Sequence, residues 1–145
     1  MNTQKMLICT VVGTLFLFII DYLWYGLIMI GYYEGLADIM RQTPLFLWLV
    51  IAYVIFSYVF CHLFPTGDGG GVMGGIRYGV MIGLIAYVSY LLIRHATETP
   101  GSLSMWLVDS VYNVIKVATL GAIVGALNPA HGMRGDTSGS GGGEG

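Results

Sequence analysis

Three charged residues stand inside long apolar stretches of this sequence, where a charge is costly. Asp21 follows the run LFLFII, and Asp109 and Lys116 interrupt the apolar stretch that ends at Leu127. At the centre of a membrane helix such a charge costs about 2.5–3.5 kcal/mol. A carboxylate in low dielectric can change its ionisation state, which is what a proton or ion relay needs. Two other roles stay open: a pair that only orients helices, and a site completed by a partner subunit.

Aromatic residues share helix faces with these carboxylates. Trp24 lies three residues after Asp21, and Tyr112 lies three residues after Asp109, so each pair would share one helix face. Buried tyrosine hydroxyls need hydrogen-bond partners. We therefore expect an intramembrane polar site formed by Asp21, Lys116, Asp109, Trp24 and Tyr112. Its tyrosines either join helices by hydrogen bonds or line a cleft for a small ligand.

Four apolar stretches are long enough, or nearly so, to position these residues in a bilayer. A spanning helix needs about 20 mostly apolar residues. The sequence predicts spans at residues 6–31, 44–64, 76–93 and 105–127, followed by a disordered Gly/Ser-rich tail at 128–145. Short connections favour antiparallel neighbours. We predict an all-α protein with four transmembrane helices in an up-down-up-down bundle.

Helix geometry predicts which charges meet. At a rise of about 1.5 Å per residue, Asp21 lies about 22 Å from the membrane face that carries the termini. By the same rise Lys116 lies about 18 Å and Asp109 about 28 Å from that face. A lysine side chain can bridge the smaller difference. We predict an Asp21–Lys116 pair if the first and fourth spans touch, with Asp109 nearer the opposite interface.

Small residues recur at helix-packing spacing in the last two spans. Gly75, Gly79 and Gly83 follow each other every four residues, and Gly121 and Gly125 repeat the spacing. Such ridges let helix backbones approach closely in lipid. The pattern predicts either tight packing of the third and fourth spans or a ridge that serves a homo-oligomer.

Composition excludes several classes of function. Hydrophobic residues make up 56% of the chain and charged residues 10%, against about 25% charged in a typical soluble domain. The net charge of -2 offers no basic face for nucleic acid. The GGGVMG segment matches a dinucleotide-binding pattern, but it joins two membrane spans and lacks the required strand. We expect no catalytic residues, metal site or cofactor, and no enzyme activity.

Several motifs resemble those of an uncharacterised family of small bacterial four-helix integral membrane proteins, catalogued as a domain of unknown function. They are DYLWYG at Asp21 to Gly26, YEGL at Tyr33 to Leu36, Gly79, Gly83, Ala86, Tyr87 and Tyr90 in the third span, and Asp109 with Tyr112 in the fourth. The resemblance implies a four-helix membrane protein and no particular activity. Lys116 lies outside these motifs.

Two functions follow as hypotheses. The first is proton- or cation-linked transport of a small solute through a homo-oligomer. The second is an accessory or structural subunit of a larger membrane complex. The expected partners are membrane lipid and either further copies of the chain or that complex. Lys5, Arg77 and Arg134 on the side of the termini, against Arg41 and Arg94 opposite, favour cytoplasmic termini in a bacterial inner membrane.

Overall fold

A computed structural model describes residues 3–29, 31, 45–65, 70–97 and 103–129 of the chain. The described residues form helices, and no strand occurs among them. In chain order the elements are α1 (Thr3–Leu23) with a π-helical segment (Trp24–Ile28), α2 (Phe46–Leu63), α3 (Gly71–Gly83) with a second π-helical segment (Leu84–Val88), α4 (Ser89–Thr97) and α5 (Leu103–Leu127).

These elements form four helical spans that are long and apolar enough to cross a membrane: Thr3–Ile28, Phe46–Leu63, Gly71–Ala96 and Trp106–Leu127. The all-α class with four spanning helices is therefore confirmed. The third span begins at Gly71, before the predicted start at residue 76. The reason is that the first turn of α3 is rich in glycine, so a count of apolar residues does not include it. Residues 32–43, which connect the first two predicted spans, the predicted start of the second span at residue 44, and the tail from residue 130 onwards lie outside the described residues.

The α3 and α5 helices run antiparallel with their backbones in direct contact. A Cβ added to Gly75 would overlap the carbonyl oxygen of Gly121, and one added to Gly125 would overlap that of Gly71. The contact continues at Gly83, whose Cβ would lie 2.9 Å from the Cα of Val114. We call this the glycine interface. Of the two possibilities raised by the spacing, the ridges meet each other within one chain.

One end of the bundle is filled by apolar side chains. The first helix passes close to α2 and α5 at Gly13, where a Cβ would lie 3.0 Å from Ser57 Oγ and 3.2 Å from Leu120 Cδ1. Around this crossing lies one buried cluster, the apolar core: Cys9, Leu17, Phe60, Cys61, Phe64, Val117, Leu120 and Val124. On α5 it begins at the residue after Lys116, whereas Asp109 and Lys116 come before it on the same helix.

The glycine interface predicts the effect of adding one methyl group. A Cβ at Gly79 would overlap the carbonyl oxygen of Val117 and lie 2.7 Å from the Cα of Ala118. Gly79→Ala should therefore separate α3 from α5 and cost roughly 1–3 kcal/mol of unfolding free energy. Reversible unfolding in mixed detergent micelles measures this loss.

Gly26 provides the matched control. A Cβ there would meet only the ring of Tyr22, at 3.7 Å, so Gly26→Ala should leave stability nearly unchanged. Equal losses for the two variants would contradict the close packing of α3 on α5.

Candidate functional site

The centre of the site is an ion pair between Asp21 and Lys116. The last turn of α1 places Asp21 against the middle of α5, and Lys116 Nζ lies 2.9 Å from Asp21 Oδ1 and 3.0 Å from Oδ2. The two residues are only 7% and 6% exposed. The structure thus places in contact the two groups that the depth calculation pairs. A buried pair with this geometry gains from low dielectric, which strengthens the attraction while penalising either charge alone.

Two tyrosines complete the hydrogen bonding of Asp21. Tyr53 of α2 donates its hydroxyl to Oδ2 at 2.7 Å, and Tyr112 of α5 donates to Oδ1 at 2.7 Å. Each carboxylate oxygen therefore accepts one bond from the ammonium and one from a phenol. A carboxylate offers about four acceptor positions, so these donors together fill them. Asp21 consequently ties α1 to both α2 and α5.

Asp109 lies about two turns before Lys116 on α5 and has its own hydrogen-bond partners. Tyr25 donates its hydroxyl to Oδ1 at 2.6 Å, and Asn113 Nδ2 lies 3.2 Å from Oδ2 and 2.8 Å from the Asp109 backbone oxygen. The sequence groups Tyr112 with Asp109 on one face of α5, but the structure gives the Tyr112 hydroxyl to Asp21. The reason is that α1 packs close to α5, which brings the carboxylate of another helix within reach.

Aromatic rings surround the ammonium of Lys116. Its Nζ lies 5.3 Å from the ring centroid of Tyr112 and 5.7 Å from that of Tyr87, within the range of cation–π attraction. Trp24 stacks on Tyr112 with 4.1 Å between centroids and 5° between ring planes. This stacking fixes the tyrosine whose hydroxyl holds Asp21. Trp24 therefore supports the site through Tyr112. Its Nε1 is buried and has no hydrogen-bond partner among the residues that the structure describes.

A cavity of about 390 Å³ leads to the ion pair. Asp21 and Lys116 belong to its wall, as do Arg94 and Trp106, which lie at the ends of their spans. The guanidinium carbon of Arg94 lies 3.7 Å from the ring centroid of Trp106. The other lining residues are Tyr25, Tyr53, Ala86, Tyr87, Tyr90, Leu91, Asp109, Ser110 and Asn113. Because α5 contributes residues 106 to 116, the cavity runs from that end of the bundle toward its middle.

Both π-helical segments adjoin this cavity. The segment Trp24–Ile28 supplies Tyr25, and the segment Leu84–Val88 supplies Tyr87. A π turn inserts an extra residue into an α-helix and changes the direction of neighbouring side chains, and such turns are frequent at functional sites. Here two of them, in different spans, bring tyrosines to one cavity.

Comparison with known proteins assigns the chain to a family. A family model described as a predicted membrane protein, DUF2177, matches residues 6–127. The chain belongs to the DUF2177 family. No curated protein matches it, and no solved structure matches it. The match includes residues of all four spans and every described residue that lines the cavity, and the family is one of unknown function.

For several residues of the site in this DUF2177 protein, the sequence shows that they are polar residues within spans but not which partner each one has. The tyrosines at positions 25, 53 and 87 and Asn113 are polar residues within spans, but nothing in their spacing says which carboxylate each one binds. Arg94 reads as a charge at the end of a span, because cations are usual there. Only the packing of four helices shows that it lines the same cavity as Lys116.

The described part of this DUF2177 protein holds no group of three or more His, Cys, Asp or Glu residues that could bind a metal ion. Cys9 and Cys61 are both buried and free. They belong to the apolar core, where Asn128 Nδ2 lies 3.4 Å from Cys9 Sγ. The candidate site consists of the Asp21–Lys116 pair, its tyrosine donors and the cavity beside them.

The ion pair predicts strongly non-additive effects of substitution. Asp21→Asn leaves a buried ammonium without its partner, and Lys116→Met leaves a buried carboxylate without its cation, so each should lower unfolding free energy by roughly 3–5 kcal/mol. The double variant removes both charges and should recover most of that loss. The coupling energy between the two charges is measured by unfolding the wild type, the two single variants and the double variant in mixed detergent micelles.

Lys5→Met is the control for the loss of a lysine, because Lys5 is exposed and its replacement should change stability by only about 0.5 kcal/mol. Losses that simply add in the double variant would show that the two charges do not interact.

Proposed function

We propose that this protein binds a small polar solute inside the membrane and couples its movement to a proton or another cation. One observation carries the proposal: the buried Asp21–Lys116 pair forms part of the wall of a cavity of about 390 Å³. A pair that only orients helices needs no cavity beside it. Here the charges are reachable from one end of the bundle.

The chemistry of the wall supports a polar solute of modest size. Pockets that bind small molecules combine apolar and aromatic walls with a few placed polar groups. This cavity combines aromatic rings with the carboxylates of Asp21 and Asp109 and the cations of Lys116 and Arg94. Intramembrane ionisable residues of this kind mark substrate, ion or proton pathways in many membrane proteins.

The inner end of the cavity favours action as a homo-oligomer. Beyond Lys116 the interior is occupied by Val117, Leu120 and Val124, which have no exposed surface, and by the glycine interface. Within the described residues of one chain, the polar path therefore stops near the middle of the bundle. A second copy, packed against the cavity wall, supplies the remainder of the path in this proposal.

Proteoliposomes that contain a trapped pH-sensitive dye test transport directly. They are challenged in turn with a primary amine, an amino acid, a carboxylic acid and a sugar, and flux is compared with that of empty liposomes. We expect at least one solute to drive proton movement in the wild type. Asp21→Asn, and the more stable double variant with Lys116→Met, should reduce it to background because the ionisable pair is gone.

Tyr22→Phe is the matched control, since Tyr22 is 58% exposed and is not among the described residues that line the cavity. Flux that never exceeds that of empty liposomes would reject transport. Co-purification with one defined membrane partner, together with absent flux, would favour the accessory-subunit function instead. If cross-linking showed that the protein is monomeric while it still transported a solute, the proposed homo-oligomer would be rejected.

We also propose that the protein lies in the inner membrane of a bacterium with both termini in the cytoplasm. Lys5 near the start of the first span and Arg77 near the start of the third lie at the terminal end of the bundle, and Arg94 lies at the other. Positive charge favours the cytoplasmic side.

A carboxyl-terminal fusion measures this orientation. Green fluorescent protein attached there should fluoresce, and alkaline phosphatase should be inactive, because the first folds in the cytoplasm and the second needs export. The reverse pair of results would place the termini outside.

A further inference from the structure

The ammonium of Lys116 lies between the Asp21 carboxylate and two aromatic rings. Two of its N–H donors meet the two oxygens of Asp21, at 2.9 and 3.0 Å, and the rings of Tyr87 and Tyr112 flank the nitrogen. Nothing in this arrangement requires the ammonium to be attached to the protein. The cavity reaches both Asp21 and Lys116, so a soluble ammonium can approach the same carboxylate.

We propose that the solute is a small primary organic ammonium, which replaces the ammonium of Lys116 at Asp21 and releases one proton from Lys116. The inference rests on the proposed function and names its solute class and coupling ion. It differs from simple cation binding because the protein already carries the competing cation on its own α5 helix.

Charge balance explains why a proton must leave. The cavity wall carries two carboxylates, Asp21 and Asp109, and two cations, Lys116 and Arg94, so these charges balance. An additional uncompensated charge in this buried environment costs several kcal/mol. When R–NH₃⁺ binds Asp21, the displaced Lys116 is still tethered beside it and sheds a proton. The exchange is R–NH₃⁺ plus Lys–NH₃⁺ paired with Asp⁻, giving R–NH₃⁺ paired with Asp⁻, neutral Lys–NH₂ and H⁺. One N–H bond breaks, and total charge is conserved.

The geometry selects among cations. Both oxygens of Asp21 accept N–H bonds from one nitrogen and O–H bonds from Tyr53 and Tyr112, so the site fits a group with several N–H donors. A quaternary ammonium has no such donor. A hard metal ion needs several oxygen ligands, whereas the two phenol oxygens here point their hydrogens at the carboxylate. A primary ammonium reproduces the contacts of Lys116 and these cations do not.

The cavity wall guides a cation inward. Tyr25, Tyr87, Tyr90 and Trp106 present aromatic rings, which attract cations, and Asp109 adds a second carboxylate. Arg94 opposes entry by charge, although its guanidinium lies against the Trp106 ring. The titratable and charged groups that face Lys116 or share its cavity are Asp21 and Tyr25 of the first span, Tyr53 of α2, Tyr87, Tyr90 and Arg94 of the third span, and Asp109 and Tyr112 of α5.

Methylammonium chloride added to the full-length protein in detergent tests the exchange. Its binding is followed by the rise in thermal unfolding temperature, and proton release is followed with a pH-sensitive dye in weakly buffered solution. We expect saturable stabilisation by methylammonium, with about one proton released per ion bound. Tetramethylammonium chloride and sodium chloride at the same concentration should give neither effect.

Lys116→Met isolates the role of the lysine. This variant should bind methylammonium more tightly, because no internal cation competes, and should release no proton. If the variant is too unstable to purify alone, methylammonium in the buffer should restore it, and tetramethylammonium should not. Asp21→Asn with Lys116→Met should show no methylammonium effect.

Three results would overturn the inference. They are wild-type binding without proton release, an equal response to methylammonium and tetramethylammonium, and the absence of any methylammonium effect on both the wild type and Lys116→Met. Because these measurements are made in detergent, they are independent of transport. Exchange without flux would leave the solute class intact and reject the proposed function. Flux driven only by a carboxylic acid or a sugar, neither of which carries an ammonium group, would instead support transport and reject the solute class.

Discussion

The attraction between the Asp21 carboxylate and the Lys116 ammonium determines how α1 meets α5 inside the membrane. Neither charge is tolerable alone in low dielectric, and both are buried. Their contact at 2.9 Å therefore sets the depth of one helix against the other. Tyr53 and Tyr112 extend this constraint, since they must reach the same carboxylate. The polar network is thus a condition for the arrangement of the first, second and fourth spans.

The bundle divides into two halves with different physical characters. Toward the end of the bundle that holds Thr3 and Leu127, backbones touch along the glycine interface and the buried apolar core fills the interior. Toward the other end, two π-helical segments redirect side chains and a cavity opens. Close packing along α3 and α5 holds one side of that cavity in place. The ion pair lies at the boundary, where it contacts the cavity on one side and the apolar core on the other.

The number of spans and the pairing of Asp21 with Lys116 could be predicted from the sequence. Spans follow from length and apolar content, and the depth of Asp21 and Lys116 follows from a constant rise per residue. Partner choice among the tyrosines does not follow, because it depends on how helices rotate about their axes. Tyr112 illustrates this: it is three residues from Asp109, yet it binds Asp21 of another helix. The π-helical segments at Tyr25 and Tyr87 have no sequence signal of comparable strength. The sequence therefore offers a polar cleft only as one of two alternatives and does not show which residues form its wall.

The pairing of Asp21 with a charged Lys116 is tested most directly by solid-state nuclear magnetic resonance of the protein in lipid bilayers. Labelling lysine side-chain nitrogen and aspartate carboxyl carbon, with Lys116→Met and Asp21→Asn to assign the signals, reports their proximity and the protonation of the amine. We expect a protonated Lys116 nitrogen with strong dipolar coupling to the Asp21 carboxyl carbon. A Lys116 nitrogen that shows no coupling to that carbon and exchanges rapidly with water would contradict it.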